Sequence, residues 1–181
     1  MQIKVDARGL ENLIKGIERL QKQIPAAIAR GLNEGGDKTR TQVQHALQHQ
    51  TGVVRYASVT SRVKTRRAFA GEGGLSSYEI IVSGKPTKMF EFKTQVTRGP
   101  GGAVTAWLWN QPHKFKRSFE GSGTIAGQLK MRLEDPRLPL RSFDGPNMAK
   151  EAVKDESEKA FFATAETAVP EAVLKHLAKA L

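Results

Sequence analysis

The chain of 181 residues contains no cysteine, which excludes a disulfide framework and any metal site built on thiolates. It also lacks an apolar run of about 18 residues, so no membrane-spanning helix is expected. The first ten residues, MQIKVDARGL, show no basic region followed by an apolar block, so a secretory signal is not expected. These absences predict a protein without redox chemistry that is made in the cytoplasm.

Acidic residues are scarce relative to basic ones: 29 Lys and Arg stand against 18 Asp and Glu, for a net charge of +11. The excess is uneven, with +3 in residues 1–50, +6 in 51–100, +4 in 101–150 and −2 in 151–181. This distribution favours a polyanionic neighbour, either nucleic acid or an acidic protein surface. Simple solubility, or a face complementary to an acidic subunit, explains the same charge.

Apolar spacing predicts helices at the start of the chain. Residues 2–6 alternate like a short strand, and a helix follows that should end near Ile24, because proline disfavours helical geometry in the residue before it. Pro25 should then begin a second helix that continues to about residue 50. Gly35 and Gly36 weaken its centre by about 1 kcal/mol each, and they either allow another backbone to approach closely or break the helix in two; we favour one helix.

The middle of the chain has the alternation of strands. One strand with a charged face is predicted near residues 62–67, another at 78–82, a hairpin at 90–109 and a further strand at 125–133. A proline-rich connection follows, and Asn147 is a candidate cap for a helix to about Ala168. Pro170 should interrupt that helix before a last short one.

The predicted fold class is therefore α+β, with N-terminal helices, a central antiparallel β-meander and a C-terminal helix. One domain is expected to cover residues 1–181. Its first part, residues 1–50, is mainly helical; residues 51–135 are mainly β and contain a basic segment; residues 136–181 hold the proline-rich connection and the C-terminal helices.

Catalytic and cofactor motifs are weak. His45 and His49 are four residues apart on a predicted helix, but zinc needs three or four ligands and the HExxH carboxylate is missing. The loose GxGxxA match at Gly121 is followed by a β-like run where a dinucleotide fold requires a helix. In GLNEGGDKT, Asp37 separates the glycines from the lysine that a phosphate loop places next to them. We expect no enzyme activity, no catalytic or metal-binding residues and no cofactor.

The strongest binding signal is a basic segment interleaved with apolar residues. Its cations are Arg55, Arg62, Lys64, Arg66 and Arg67. Such a run can contact phosphates without reading base sequence, and no zinc finger, helix-turn-helix or RNP motif accompanies it. Two hypotheses follow: these residues contact a polyanion such as DNA, or they contact an acidic protein partner.

A collinear set of short marks resembles the minor tail protein Z family of siphophages and their prophages. The first marks are Gly9, Leu10, Pro25, Ala26, Leu32, Asn33 and Arg40. They continue at Thr51-Gly52-Val53 and Ser83-Gly84-Lys85-Pro86, and at Arg137, Leu138, Pro139 and Leu140 followed by Gly145 and Pro146. No single mark is specific, but their order and spacing cover most of the chain.

The resemblance implies a tail completion protein at the head-proximal end of a long, non-contractile tail. It implies a homo-oligomeric ring, of six copies to match the tube, that contacts the tail tube, the tail terminator and the head–tail connector. Packaged DNA is a further expected contact, without sequence preference. In such a ring, the expected lumen-facing or acidic-partner contacts are Arg55, Arg62, Lys64, Arg66 and Arg67. The location implied is the virion tail, after synthesis in the host cytoplasm. The resemblance carries no catalytic residues. The alternative from the residues alone is a freestanding, sequence-independent nucleic-acid-binding protein.

Overall fold

The computed structural model describes residues 8–70, 77–98, 102–126, 128–132 and 139–180, with the backbone alone for residues 8–22. It has the predicted α+β fold, in which long helices lie near both ends of the chain and antiparallel strands lie between them. The strand predicted at residues 2–6 falls outside the described residues.

The helices are α1 (Arg8–Thr51), α2 (Tyr56–Thr60), α3 (Met148–Glu151) and α4 (Asp155–Ala180), with 3-10 turns at Met89–Glu91 and Gly123–Ile125. The strands are β1 (Val63–Arg66), β2 (Glu79–Val82), β3 (Pro86–Lys88), β4 (Thr94–Thr97), β5 (Ala103–Leu108), β6 (Gln111–Lys116), β7 (Ser118–Glu120), β8 (Leu129–Arg132), β9 (Leu140–Ser142) and β10 (Asp144–Asn147).

Helix α1 is continuous, so the predicted boundary before Pro25 is wrong. Proline removes one backbone hydrogen bond and crowds the preceding turn, at about 3 kcal/mol, but this cost stays within one turn. The turns on either side keep their own bonds. Helix α4 likewise continues through Pro170, where an interruption was predicted. The prediction of one helix through Gly35 and Gly36 is confirmed.

A buried stripe at every fourth residue runs along the part of α1 whose side chains are described. Its members are Ala27, Gly31, Gly35, Thr39, Val43, Leu47 and Thr51. Residues four apart lie on one helix face, so this stripe is the side that α1 buries. Its threonine hydroxyls stay satisfied because they donate to carbonyls one turn back, as Thr39 Oγ1 does to Gly35 O at 2.9 Å.

The strands form four small antiparallel sheets among the described residues: β1–β2, β3–β10, β4–β5–β6 and β7–β8–β9. The predicted hairpin is confirmed for β4 and β5, where Thr94 pairs with Ala106 and Thr97 with Ala103. It is wrong for residues 90–93, which hold a 3-10 turn, and Trp109 lies beyond the end of β5. Trp109 and Asn110 take positive φ angles of 50° and 60°, the geometry of a tight hairpin turn into β6.

Two further predictions need correction. The connection after residue 135 contains strands β9 and β10, which pair at sheet edges that tolerate proline. Asn147 does cap a helix, because its side chain accepts from the backbone N–H groups of Ala149 and Lys150. That helix is only α3; Asp155, with a φ of 47°, begins α4 separately.

The chain divides into two compact units. Unit 1 comprises Met1–Thr39, Thr65–Glu79 and Ala163–Leu181; unit 2 comprises Arg40–Lys64 and Ile80–Phe162. Each unit collects distant segments, so the division does not follow the three consecutive parts outlined from the sequence. The single domain stays a prediction.

Each unit has its own packing. In unit 1, Gly31 and Gly35 of α1 lie against Val173 and Val169 of α4 so closely that an added Cβ would stand 2.5 and 2.6 Å from their Cα atoms. The close backbone approach predicted at Gly35 is thereby confirmed. Unit 2 holds the larger apolar core, whose fully buried members include Leu47, Val59, Val104, Ala106 and Met148.

Candidate functional site

A basic groove of about 970 Å³ lies in unit 2, between α2, β1, β2 and β3. We define it by the residues that line it: Val54, Arg55, Ser58, Ser61, Arg62, Lys64, Ile81, Ser83, Lys85, Pro86, Lys88, Phe90, Glu91 and Phe92. Three of the five cations singled out from the sequence, Arg55, Arg62 and Lys64, meet in this groove. The other two, Arg66 and Arg67, belong to unit 1.

Arg62 and Glu91 form a bidentate ion pair in the groove wall. Arg62 Nη1 donates to Glu91 Oε2 at 2.9 Å and Nη2 donates to Oε1 at 2.7 Å. The side chains are only 17% and 10% exposed, so water screens this pair poorly. Burial raises the pKa of Glu91, but hydrogen bonds from Arg62 and Ser58, the Arg62 charge and the Lys88 backbone N–H outweigh it and lower the pKa overall. Glu91 is thus ionised and neutralises Arg62.

Four cations of the groove remain without a carboxylate partner among the described residues: Arg55, Lys64, Lys85 and Lys88. All four are exposed: Lys64 lies in β1, Lys88 in β3, Arg55 directly before α2 and Lys85 directly before β3. Lys85 and Lys88 were not predicted as site residues. Lys85 belongs to the segment Ser83-Gly84-Lys85-Pro86, which was noted only for the family resemblance. Its place beside Lys64 depends on the fold and is not visible in the local sequence. The groove therefore carries a positive charge that its one carboxylate does not balance.

Exposed apolar side chains accompany these charges. Val54 is 61% exposed, Phe90 is 52% exposed and Ile81 is 45% exposed, and all three line the groove. Lys88 Nζ lies 5.7 Å from the centre of the Phe90 ring, within cation–π range. The groove thus offers both cations and an apolar floor to a ligand.

Arg66 and Arg67 already bind carboxylates of the same unit. Arg66 Nη1 donates to Glu79 Oε2 at 3.0 Å, and Arg67 Nη2 donates to Asp37 Oδ2 at 2.8 Å. Tyr78 also donates to Asp37, at 2.7 Å. The Arg66–Glu79 pair joins β1 to β2, whereas Arg67 and Tyr78, which flank these strands, bind Asp37 of α1 within unit 1. The two arginines do not join the basic groove, and their contact with an outside partner stays a prediction.

The family-like marks near residue 140 have structural roles where they are described; Arg137 and Leu138 lie outside the described residues. Leu140 begins β9, and Gly145 and buried Pro146 lie in β10. A Cβ on Gly145 would collide with the Phe92 ring, so glycine at this position allows Phe92 to pack in the core. Pro139 is exposed before β9.

A second surface of unit 2, which we call the α4 patch, is mainly apolar. It has a shallow cavity of about 380 Å³ and is formed by Val43, Ile80, Val82, Ala149, Ala152, Val153, Glu158, Phe161 and Phe162. Val153, Phe162 and Phe161 are 69%, 52% and 38% exposed. Contiguous exposed apolar side chains of this kind mark protein interaction surfaces.

The basic groove and the α4 patch use opposite faces of strand β2. Ile81 lines the groove, whereas Ile80 and Val82 line the α4 patch. Successive side chains of a strand point to opposite sides, so the two surfaces face different directions. Ile81 was not among the site residues predicted from the sequence.

The two histidines weighed as metal ligands have ordinary structural contacts. His45 stacks on Tyr56 with ring centres 4.7 Å apart, and His49 lies 2.8 Å from Glu156. Across the described residues, no group of three or more histidine, cysteine or acidic side chains is placed to hold a metal ion. Asp37 and its neighbouring glycines lie inside α1, where backbone amides serve the helix instead of a phosphate.

A polar network in unit 2 is also structural. Glu151 accepts a hydrogen bond from Trp109 Nε1 at 3.1 Å and from Gln50 Nε2 at 3.2 Å. Gln50 in turn accepts from the Ser157 hydroxyl at 2.8 Å and from its backbone N–H. These bonds fix the β5–β6 turn and the start of α4 to the end of α1, which positions the α4 patch.

Within the described part of the chain, no helix combines the length and the apolar character that crossing a membrane requires. Comparison of the sequence and the fold with family models, curated proteins and solved structures found no match.

Proposed function

We propose that this chain is a structural subunit of a bacteriophage tail, a tail completion protein that forms a ring at the head-proximal end and helps to join tail and head. The proposal comes from the resemblance to the minor tail protein Z family. One structural observation supports the proposed function: unit 2 has two unlike exposed surfaces, the basic groove and the α4 patch.

Two unlike surfaces are what a ring subunit needs. A heterologous contact joins one surface of a copy to a different surface of the next, and it closes into a ring when the rotation between copies allows it. A twofold dimer would instead use the same surface on both copies. The separation of the groove and the α4 patch onto opposite faces of β2 therefore supports a directional assembly.

The experiment removes the protein from the phage or prophage that encodes it. We expect complete heads and complete tails that fail to join, and we expect joining to return when the wild-type chain is supplied. In purified tails, a gold-labelled antibody should mark one end only. Normally joined, infectious particles without the chain would refute the proposed function, as would labelling along the whole tube.

A second candidate, a freestanding nucleic-acid-binding protein, is favoured by the unbalanced cations of the basic groove. Four cations that release counterions from duplex DNA would give a slope of about −4 in the plot of log binding constant against log salt. Tight binding of DNA by the monomer with this slope would favour the second candidate over the tail subunit.

A further inference from the structure

The basic groove has binding capacity that its own unit leaves unused. Arg62 is occupied by Glu91, whereas Arg55, Lys64 and Lys85 have no ion-pair partner within the described chain. Val54, Ile81 and Phe90 are exposed beside them, although each would gain by contact with apolar atoms. A matching ligand must therefore combine negative charge with apolar side chains.

The first turns of α4 combine these two properties. Residues 155–158 contain three carboxylates and begin the helix; with Lys154 and Lys159 on either side, residues 153–162 carry three negative and two positive charges. Glu156 is held by His49, but no described cation pairs with Asp155 or Glu158. Residues three and four apart share a helix face, so Glu158 lies beside Phe161 and Phe162, which line the same patch.

We propose that the basic groove of one copy receives the first turns of α4, residues 153–162, from a second copy of this chain. Asp155 and Glu158 pair with the free lysines and arginine of the groove. Phe161 and Phe162 cover its apolar floor. This inference rests on the proposed function, since it supplies the contact between neighbouring subunits of the ring.

The apolar floor favours a protein segment over nucleic acid as the occupant. A duplex presents phosphates and sugars at its surface, so Val54 and Ile81 would gain little from it. An amphipathic acidic helix satisfies the cations and covers the apolar side chains at once. Because groove and patch use opposite faces of β2, one copy can use both of them with two different neighbours.

The test uses three double variants of the full chain. The groove variant is Lys64→Glu with Lys85→Glu, and the patch variant is Glu158→Gln with Phe162→Ser. The control, Lys114→Glu with Lys116→Glu, makes the same charge change at exposed positions of β6 outside both surfaces. All altered side chains are exposed, so circular dichroism and tryptophan emission should match those of the wild type.

Sedimentation velocity then measures association over a range of protein concentrations. We expect the wild type and the control to self-associate alike, and the groove and patch variants to associate at least about tenfold more weakly. An equimolar mixture of the two variants should form 1:1 dimers and nothing larger. In such a dimer, the patch of the groove variant binds the groove of the patch variant. The two altered surfaces that remain cannot bind a further copy.

Three outcomes would overturn the inference: a wild type that stays monomeric at about 100 µM, association of the variants at wild-type strength, or a variant mixture without dimers. A groove variant that loses duplex DNA binding but keeps self-association would overturn it too and assign the groove to nucleic acid. Failure here leaves the proposed function standing if the chain still marks the tail end, so the two results are distinguishable.

Discussion

The stability of unit 2 should depend on Arg62 and Glu91 jointly, because the two side chains form one ion pair. We consider two replacements of similar volume, Arg62→Met and Glu91→Leu, and the double variant. Removing one partner of a buried ion pair typically costs 3–5 kcal/mol, because the remaining charge is left unpaired. Both side chains here keep some contact with water, at 17% and 10% exposure, so the expected cost is lower.

The two single variants should differ. Arg62→Met strands the less exposed group, the Glu91 carboxylate, and should destabilise unit 2 by about 2–3 kcal/mol. After Glu91→Leu, the guanidinium still donates to Ser58 O at 2.8 Å, so the loss should be about 1–2 kcal/mol. The double variant removes both charges and should lie within about 1 kcal/mol of the wild type.

Urea unfolding followed by tryptophan emission is the assay. The only two tryptophans of the chain, Trp107 and Trp109, are both in unit 2, so the signal reports that unit alone. The double-mutant cycle should give a coupling of about 2 kcal/mol or more. Single variants within about 0.5 kcal/mol of the wild type, or losses that add, would refute the reasoning.

The same pair predicts a dependence on pH. Since the folded-state pKa of Glu91 is lowered, its contribution is present above the ordinary carboxyl pKa and is lost as the pH falls through the folded value. The difference in unfolding free energy between the wild type and Glu91→Leu should therefore be constant near neutral pH and shrink below about pH 4.

Two further predictions concern unit 1. Hydrogen bonds from Lys175 at 2.8 Å and His176 at 2.9 Å lower the pKa of Glu34 from 4.5 to about 2, so its contribution is present above about pH 4.5 and is lost as the pH falls towards 2. Hydrogen exchange in α4 should show that Glu34→Gln differs from the wild type by much more at pH 6 than at pH 2, and an equal difference at both values would contradict this. Gly35→Ala should lower the thermal midpoint despite the helix propensity of alanine, because its Cβ would meet the α4 backbone at 2.6 Å and overpacking costs about 1–3 kcal/mol. Gly84→Ala, with open space around the new Cβ, is the matched control, and equal melting of the two variants would refute the packing argument.

Local patterns predicted the local structure well. Alternation around Val63 and Lys64 predicted β1 with one charged face, and the structure has it, with Val63 buried and Lys64 exposed. The cap at Asn147 was also predicted, since it depends only on the neighbouring residues Ala149 and Lys150. Strand β6 was missed because Pro112 breaks its pattern; a proline fits there only because β6 is a sheet edge.

The candidate site could be predicted only in part, because its charge depends on contacts that are distant in sequence. Arg62 and Arg67 look alike in the basic segment, yet one binds Glu91, 29 residues on, and the other binds Asp37, 30 residues back. Nothing in the local pattern indicates which cations find an internal carboxylate. Lys85, which joins the groove from the bend between β2 and β3, could not be predicted for the same reason.

The internal pairing of Arg62 bears on what the groove is for. A buried ion pair contributes little net stability compared with apolar residues of the same volume, so stability alone does not account for it. In the groove, the ion pair has no net charge and lies next to four cations that have no carboxylate partner among the described residues. Because Glu91 is bound to Arg62, it does not bind those cations. A carboxylate of a ligand can then pair with these groove cations. Binding of an acidic segment by the groove would therefore explain why this ion pair is present. For the same reason, removing the Arg62–Glu91 pair should weaken assembly as well as folding.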